Sequence, residues 1–189
     1  MKGYKLLDNN LFDIHYNKLE IGKEYFLENP IKLNKRGFHF CNTIEDTFIY
    51  NSLMENSSVY EIDTLDGEVI VDEYKSVSSK MKIIREVPLD EVKKYIEDNL
   101  ERLVVHDHCL IRAEIAKLGY GLSMFLYDKD WNVRIEVARH KHGLDVLVND
   151  ENELVRREVA FAGYGLDQLE NDPDFSVRVA VDMVRNNKI

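Results

Sequence analysis

From residue 106 onward the chain is written in a period of 22. Ile111-Arg112, Val133-Arg134, Val155-Arg156 and Val177-Arg178 follow one another at that step. The same step carries Asp128, Asp150 and Asp172, the apolar positions Ile115, Val137, Val159 and Val181, and Ala116, Ala138 and Ala160. Gly121, Gly143 and Gly165 keep it too, each followed by Leu122, Leu144 or Leu166. A unit of 22 residues is too thin to shelter its own apolar side, so copies of it have to lie against one another. That constraint rules out a single closed core for this part of the chain.

Each column has a mechanical reason. The Asp column, with Asp130, Asn152 or Asp174 two residues on, supplies acceptors for the free N–H groups that open a helix. Pro173 stands where a missing N–H costs nothing. Val133, Val137 and Ala138 form one apolar stripe on a helix of about three turns. Gly143 and its equivalents are expected to end that helix, and "LDVLVND" continues as a second, shorter helical turn. Upstream, "DNLERLVV" matches the second-helix column, so the helix expected over 89–104 reads as an N-terminal cap. The repeats are expected near 106–127, 128–149, 150–171 and 172–189, after a connecting helix at 89–105.

The Arg column (Arg112, Arg134, Arg156, Arg178) can be read as an anion-binding stripe or as a ladder. In the ladder each guanidinium pairs with the Asp column of its own or the adjacent unit. The net charge of −10 favours the ladder, because binding a phosphate backbone needs clustered cations and neither half of the chain is basic. His106 with His108, and His140 with His142, lack a third ligand and are read as surface or capping residues, so no metal is expected. Trp131 and Phe175 share a column and read as packing residues. Tyr120 and Tyr164 share another and are the candidate partner-binding residues.

These helical pairs resemble HEAT-like arrays and, in their short period, the leucine-rich repeat variant of alternating short helices. The resemblance implies an all-α solenoid with an extended binding surface.

The first 88 residues change period. "GYKLLD", "YFLENPIKLNKRGFHFC", "SVYEIDTL", "EVIVDEY" and "SKMKIIREVP" read as strands between turns. "TIEDTFIYNSLM" (43–54) reads as a helix capped by Thr43, with Ile44, Phe48, Ile49 and Leu53 on its apolar face. The expected fold class is therefore α+β: a small mixed domain over 1–88, followed by the helical repeats.

"KGYK", "EIGKEY", "NKRGFHFC", "VYEID" and "SKMKIIREVPLDEV" together resemble an uncharacterised domain found at the start of phage and bacterial proteins, where it precedes variable repeat arrays. That resemblance covers most of residues 1–92 and implies a modular head attached to an exchangeable repeat tail; the family brings no established activity and so supplies no catalytic residues. The order of an opening "KGY" strand, "GFHFC" and "VYEI" also resembles ADP-ribosyltransferase-like folds. Under that likeness Tyr4, His39 and Glu61 would be the catalytic candidates, with His39 on a ribose hydroxyl and Glu61 opposite a developing positive charge. "FHFCNT" stands where such enzymes carry Ser-Thr-Ser. Cys41 reads as a buried thiol.

The chain lacks a P-loop, GxGxxG, HExxH and GxSxG. The first expectation is thus a non-catalytic interaction or adaptor protein that binds a protein partner through the repeat surface, without a cofactor. The alternatives are an ADP-ribosyltransferase-like or nucleotide-binding enzyme using the N-terminal domain, and an acidic inhibitor of a basic host protein surface. Two dispersed cysteines, no apolar leader and no long apolar run point to the cytoplasm, away from membranes.

Overall fold

Successive side chains of a strand point to opposite faces of its sheet, and the adjacent apolar pairs Leu6-Leu7 and Val59-Tyr60 of "KGYKLLD" and "SSVYEID" therefore place apolar groups on both. The computed structural model describes residues 1–8, 10–12, 18–28, 30–50, 52–53 and 57–186. It divides into two compact units, Met1–Asp98 and Asn99–Ile189. The first is an antiparallel sheet with short helices and the second is helical, so the fold is α+β.

The strands are β1 (Lys2–Asp8), β2 (Glu24–Phe26), β3 (Phe38–Cys41), β4 (Ser57–Asp63), β5 (Val69–Val71), β6 (Lys75–Ser78) and β7 (Lys80–Val87). Their order is β2-β7-β4-β1-β3-β6-β5. β1 and β4 pair along their whole length, from Lys2 opposite Asp63 to Asp8 opposite Ser57. β1 meets β3 at Tyr4 and Cys41. Leu7, Phe40, Tyr60, Ile62, Met81 and Ile83 join Leu19 in one buried cluster. The alternate residues Val59, Val77 and Val87 are buried too, so both faces of the sheet carry apolar contacts.

The expected helix over 43–54 shortens to a turn followed by α1 (Thr47–Tyr50). Thr43 and Asp46 cap each other reciprocally: Thr43 N–H donates to the Asp46 carboxylate at 2.9 Å, and Asp46 N–H to the Thr43 hydroxyl at 3.3 Å. Aspartate therefore serves where the usual capping box has Glu. Ile44 and Phe48 are buried as expected. Asn51 and Met54, in the second half of that expected helix, lie outside the described residues. The run "YFLENPIKLNKRGFHFC" divides into β2 and β3. Likewise "EVIVDEY" ends early, and β5 turns back into β6, which its serines concealed. Ser76 and Ser78 are fully buried, and the Ser76 hydroxyl reaches the Asn42 side chain at 2.7 Å.

The expected helix over 89–104 is two helices, α2 (Leu89–Asp98) in the first unit and α3 (Leu100–Leu103) in the second. They break at Asn99, whose ψ of 9° leaves the helical region. In the first unit the Tyr95 hydroxyl of α2 donates to the Glu45 carboxylate.

In the second unit, long helices alternate with single turns: α4 (Cys109–Lys117), α5 (Leu122–Phe125), α6 (Trp131–Arg139), α7 (Leu144–Leu147), α8 (Glu153–Phe161), α9 (Leu166–Leu169) and α10 (Phe175–Arg185). The long helices start 22 residues apart. α4 lies against α6, α6 against α8 and α8 against α10. Ile111, Ile115, Val133, Val137, Val155, Val159, Val177 and Val181 are fully buried between them. Each such side chain is worth about 1.5–3 kcal/mol of burial.

The turns are specified twice over. Asp130, Asn152 and Asp174 are the N-caps, accepting from Asn132, Leu154 and Ser176 N–H at 2.8–2.9 Å. Pro173 thus precedes the cap instead of opening the helix. The glycines expected to end the long helices instead open the short ones: Gly143 is the N-cap of α7 at φ 60°. A Cβ there would also come within 2.4 Å of Leu126, so the position is closed on conformation and on space. The long helices end two residues earlier, at Gly119, Lys141 and Gly163, all with positive φ. Behind Lys141, His142 N–H reaches Val137 O (3.3 Å) and Lys141 N–H reaches Ala138 O (2.8 Å), the paired bonds of a Schellman motif.

The Asp column binds the Arg column across the repeat boundary. Arg112 Nε and Nη2 grip Asp128 at 2.7 and 2.8 Å. Arg134 holds Asp150 at 2.6 and 2.8 Å, and Arg156 holds Asp172 at 2.7 and 2.9 Å. Each Nη1 turns back to a carbonyl six residues earlier: His106, Asp128 and Asp150. Each Asp Oδ1 also accepts the N–H two residues on, from Asp130, Asn152 and Asp174. Every rung therefore ties one long helix to the turn that starts the next.

Two stability changes follow. Lys141 sits at φ 55° where its equivalents are glycine, so Lys141→Gly is expected to stabilise the chain by about 1 kcal/mol, read from urea unfolding. Asp150 has a side chain only 6% exposed, and Asp150→Asn leaves Arg134 buried without its counter-charge. The expected loss is about 3 kcal/mol, against almost none for Asp145→Asn on the exposed α7 surface.

Candidate functional site

Strand pairing decides where the sheet residues meet. Tyr4 on β1 stands opposite Glu61 on β4 and opposite Cys41 on β3. Since directly paired residues share a face, Tyr4 and Glu61 are neighbours. His39 lies two residues from Cys41, opposite Val77 of β6. Its Nε2 accepts Asn34 N–H at 3.1 Å, which ties the ring to the preceding loop.

Glu61 is 8% exposed, and both of its oxygens are engaged. Lys2 reaches Oε1 at 2.6 Å and Arg85 Nε reaches Oε2 at 3.0 Å. Arg85 spends its other nitrogens on Glu91 at 3.0 and 2.9 Å. The hydrogen bond from Lys2, followed by that from Arg85, holds the Glu61 carboxyl below the usual range despite its burial. Its charge is balanced by two cations already present, which is the arrangement of a structural ion network. Cys41 is buried, and desolvation pushes its thiol up to about 12, so it carries no thiolate at neutral pH.

On the helical unit Tyr164 is exposed and Tyr120 half-buried. Trp131 and Phe175, expected to pack between helices, are instead exposed at 37% and 70%. They are the first residues of α6 and α10. Trp131 lines a pocket of about 290 Å³ with Lys129, Arg134, Glu151, Asn152 and Glu153. Arg134 is occupied by Asp150, so the pocket offers an indole flanked by two carboxylates and one lysine. Such a set can receive a cationic side chain over the ring.

The histidines do local work. His108 Nδ1 caps α4 by accepting Leu110 N–H at 3.3 Å, and His106 Nδ1 accepts His108 N–H at 3.0 Å. His140 Nε2 lies 2.9 Å from Lys117 O. Among the described residues no three His, Cys, Asp or Glu side chains converge as metal ligands. No described helix is long and apolar enough to cross a membrane.

A second acidic column escaped the sequence reading. Glu114, Glu136 and Glu158 keep the 22-residue step, a signal masked by the stronger Val-Arg pattern beside it. Arg139 joins two of them, donating to Glu136 at 2.7 Å and to Glu158 at 3.3 and 3.4 Å. Desolvation outweighs that pairing at Glu136 and raises its pKa. At Asp172 the bond from Arg156 wins over burial and lowers the pKa. The two groups give opposite pH dependence. The stability from Asp172 is present above an unfolded carboxyl value of about 4 and is lost as pH falls through its lower folded value. Glu136 favours the fold when protonated and costs stability as pH rises through its raised value. Melting curves should therefore show Asp172→Asn flattening the acid limb. Glu136→Gln should raise the melting temperature at pH 7, with the gain vanishing toward low pH.

Comparison with known proteins adds one finding. A family model described as a domain of unknown function, DUF7666, matches residues 1–95. No curated protein and no solved structure matches the chain. The match spans the sheet with Tyr4, His39 and Glu61 and runs into α2, and through it the chain belongs to the DUF7666 family.

Proposed function

We propose that the chain is a non-catalytic interaction protein of the bacterial or phage cytoplasm. In this reading a sheet-based head precedes a HEAT-like solenoid, and the solenoid presents its surface to a protein partner. The observation that carries it is the exposure of large aromatic side chains on a tightly hydrogen-bonded helical frame. Tyr127 is 75% exposed, and Trp131, Tyr164 and Phe175 are exposed as well. Aromatic side chains with few rotamers, held by a rigid backbone, lose little entropy on binding and dominate the energy of many interfaces. The charge of −10 and the two glutamates beside Trp131 suit a partner with a basic surface, whose Lys or Arg would enter over the indole.

The head supports this reading through Glu61, which is neutralised by Lys2 and Arg85. A carboxylate in that state is poorly placed to stabilise a cationic transition state.

The test is capture by the immobilised full chain from a cell lysate. The expected result is a defined protein retained by the native chain and lost, by at least about tenfold in affinity, from the Trp131→Ala/Tyr164→Ala variant. Its melting temperature should stay close to that of the native chain, since both side chains are exposed. Undiminished retention by the variant, or a rise in melting temperature with NAD, would refute the reading.

A further inference from the structure

The sheet of the first unit ends at β5, the last strand in the order β2-β7-β4-β1-β3-β6-β5. Its inner side is bonded along its length. Glu68 O accepts Ser79 N–H at 2.9 Å, and Asp72 N–H donates to Lys75 O at 3.1 Å, with Ile70 opposite Val77 between them. Main-chain bonding alternates along an antiparallel strand, so Glu68, Ile70 and Asp72 face inward to β6. Val69 and Val71 turn their N–H and C=O groups outward, where no strand lies beside them among the described residues. The same alternation sorts the side chains. Val69 and Val71 share one face, on which Val69 packs against the buried cluster that includes Leu7 and Phe40, and Val71 is 62% exposed. Glu68, Ile70 and Asp72 take the other face.

This edge is fastened at both ends. Asn42 Nδ2 donates to Asp72 O at 2.8 Å and to Glu73 O at 3.1 Å. At the other end Glu68 N–H donates to Ser79 Oγ at 2.8 Å, and Lys80 pairs with Asp66 at 2.6 Å. The strand is thus held extended, and a segment laid along it has only itself to order.

We propose that β5 receives an extended segment of a partner polypeptide as an eighth strand, and that this segment alternates basic and apolar residues. It is a second contact surface, on the head, independent of the aromatic side chains of the helical unit. Bonds to the outward groups of Val69 and Val71 supply affinity, and the alternate side chains supply selectivity. Register defines those side chains. Residues opposite Val69 and Val71 lie on the apolar face, beside the half-covered end of the cluster. Residues opposite Glu68 and Asp72 lie on the face with the carboxylates. Glu68, Asp72 and Glu73 are exposed and have no cationic partner among the described residues, so Lys or Arg across the strand pair meets an uncompensated opposite charge.

A second copy of this chain fits the edge badly. Pairing β5 with itself antiparallel about Ile70 sets Glu68 opposite Asp72 twice, and pairing it parallel in register sets each carboxylate opposite its own counterpart. Like charges directly across a strand pair oppose both contacts.

The probe is the blocked peptide acetyl-Arg-Val-Lys-Val-Arg-amide, titrated into the 15N-labelled full chain while amide hydrogen exchange is followed by NMR. In the free chain Ile70 N–H should be protected, whereas Val69 and Val71 N–H exchange freely. The expected result is saturable protection of Val69 and Val71 N–H by the peptide. Affinity should fall by at least about tenfold for the Val71→Pro chain, which removes one outward donor at an edge position where proline is tolerated. The Glu68→Lys/Asp72→Lys chain, altered only at exposed side chains, should lose as much. Melting curves check the fold of both. The Trp131→Ala/Tyr164→Ala chain should bind the peptide normally, so a failure of the aromatic surface is distinguished from a failure of this edge. The proposal is overturned by the absence of protection, or by undiminished binding to either β5 variant. It is also overturned if acetyl-Arg-Pro-Lys-Pro-Arg-amide, which has the same charge and cannot complete the ladder, binds equally well. Protection of Val69 and Val71 that grows with protein concentration in the absence of peptide, and that Val71→Pro abolishes, would assign the edge to a second copy and overturn it too.

Discussion

The helical unit depends on one interaction, the two-pronged contact between an arginine of one repeat and the aspartate that begins the next. Its strength comes from where it sits. Arg134 and Asp150 have side chains 8% and 6% exposed, so neither charge could stand there alone. Every remaining polar atom is satisfied nearby, because Nη1 takes a carbonyl and Oδ1 takes an N–H. The rung therefore fixes the distance and the angle between successive long helices, while the valines between them contribute adhesion without direction. The fully buried apolar column would allow neighbouring helices to slide; the paired forks do not.

Charge in the sheet unit is used in a related way with a different geometry. Glu61 gathers Lys2 from β1 and Arg85 from β7, and so stitches three adjacent strands together on one face. Arg85 extends the network to Glu91 of α2. Carboxylates in both units are thus structural partners first. The pKa of each records the balance of its own surroundings: bonds from cations prevail at Glu61 and Asp172, and desolvation prevails at Glu136.

What was legible in the sequence was legible because it was local or repeated. The Val and Ala columns gave the buried stripe. Asp130, Asn152 and Asp174 announced helix starts because a cap acts two residues away. Each misreading has its own physical cause. Gly143 was expected to close a helix and instead opens one, because the true closing position carries Lys141 in that repeat and the glycine signal fell on its neighbour. β6 was hidden because its buried residues include Ser76 and Ser78, and a polar residue satisfied by Asn42 breaks an alternation that only hydrophobicity reveals. Trp131 was expected inside and is exposed, since a column records spacing but not what packs against it.

The sequence alone determined the 22-residue unit, its helix starts and its apolar stripe. Each of these rests on bonds and periodicities spanning a few residues, and repetition amplifies them above chance. Tertiary structure decided which aspartate each arginine takes, sixteen residues on and across a repeat boundary. It decided that Tyr4 faces Glu61 and that two cations occupy that carboxylate. Such pairings are set by strand register and helix packing, where residues distant along the chain compete for the same partner, and no local rule ranks the competitors.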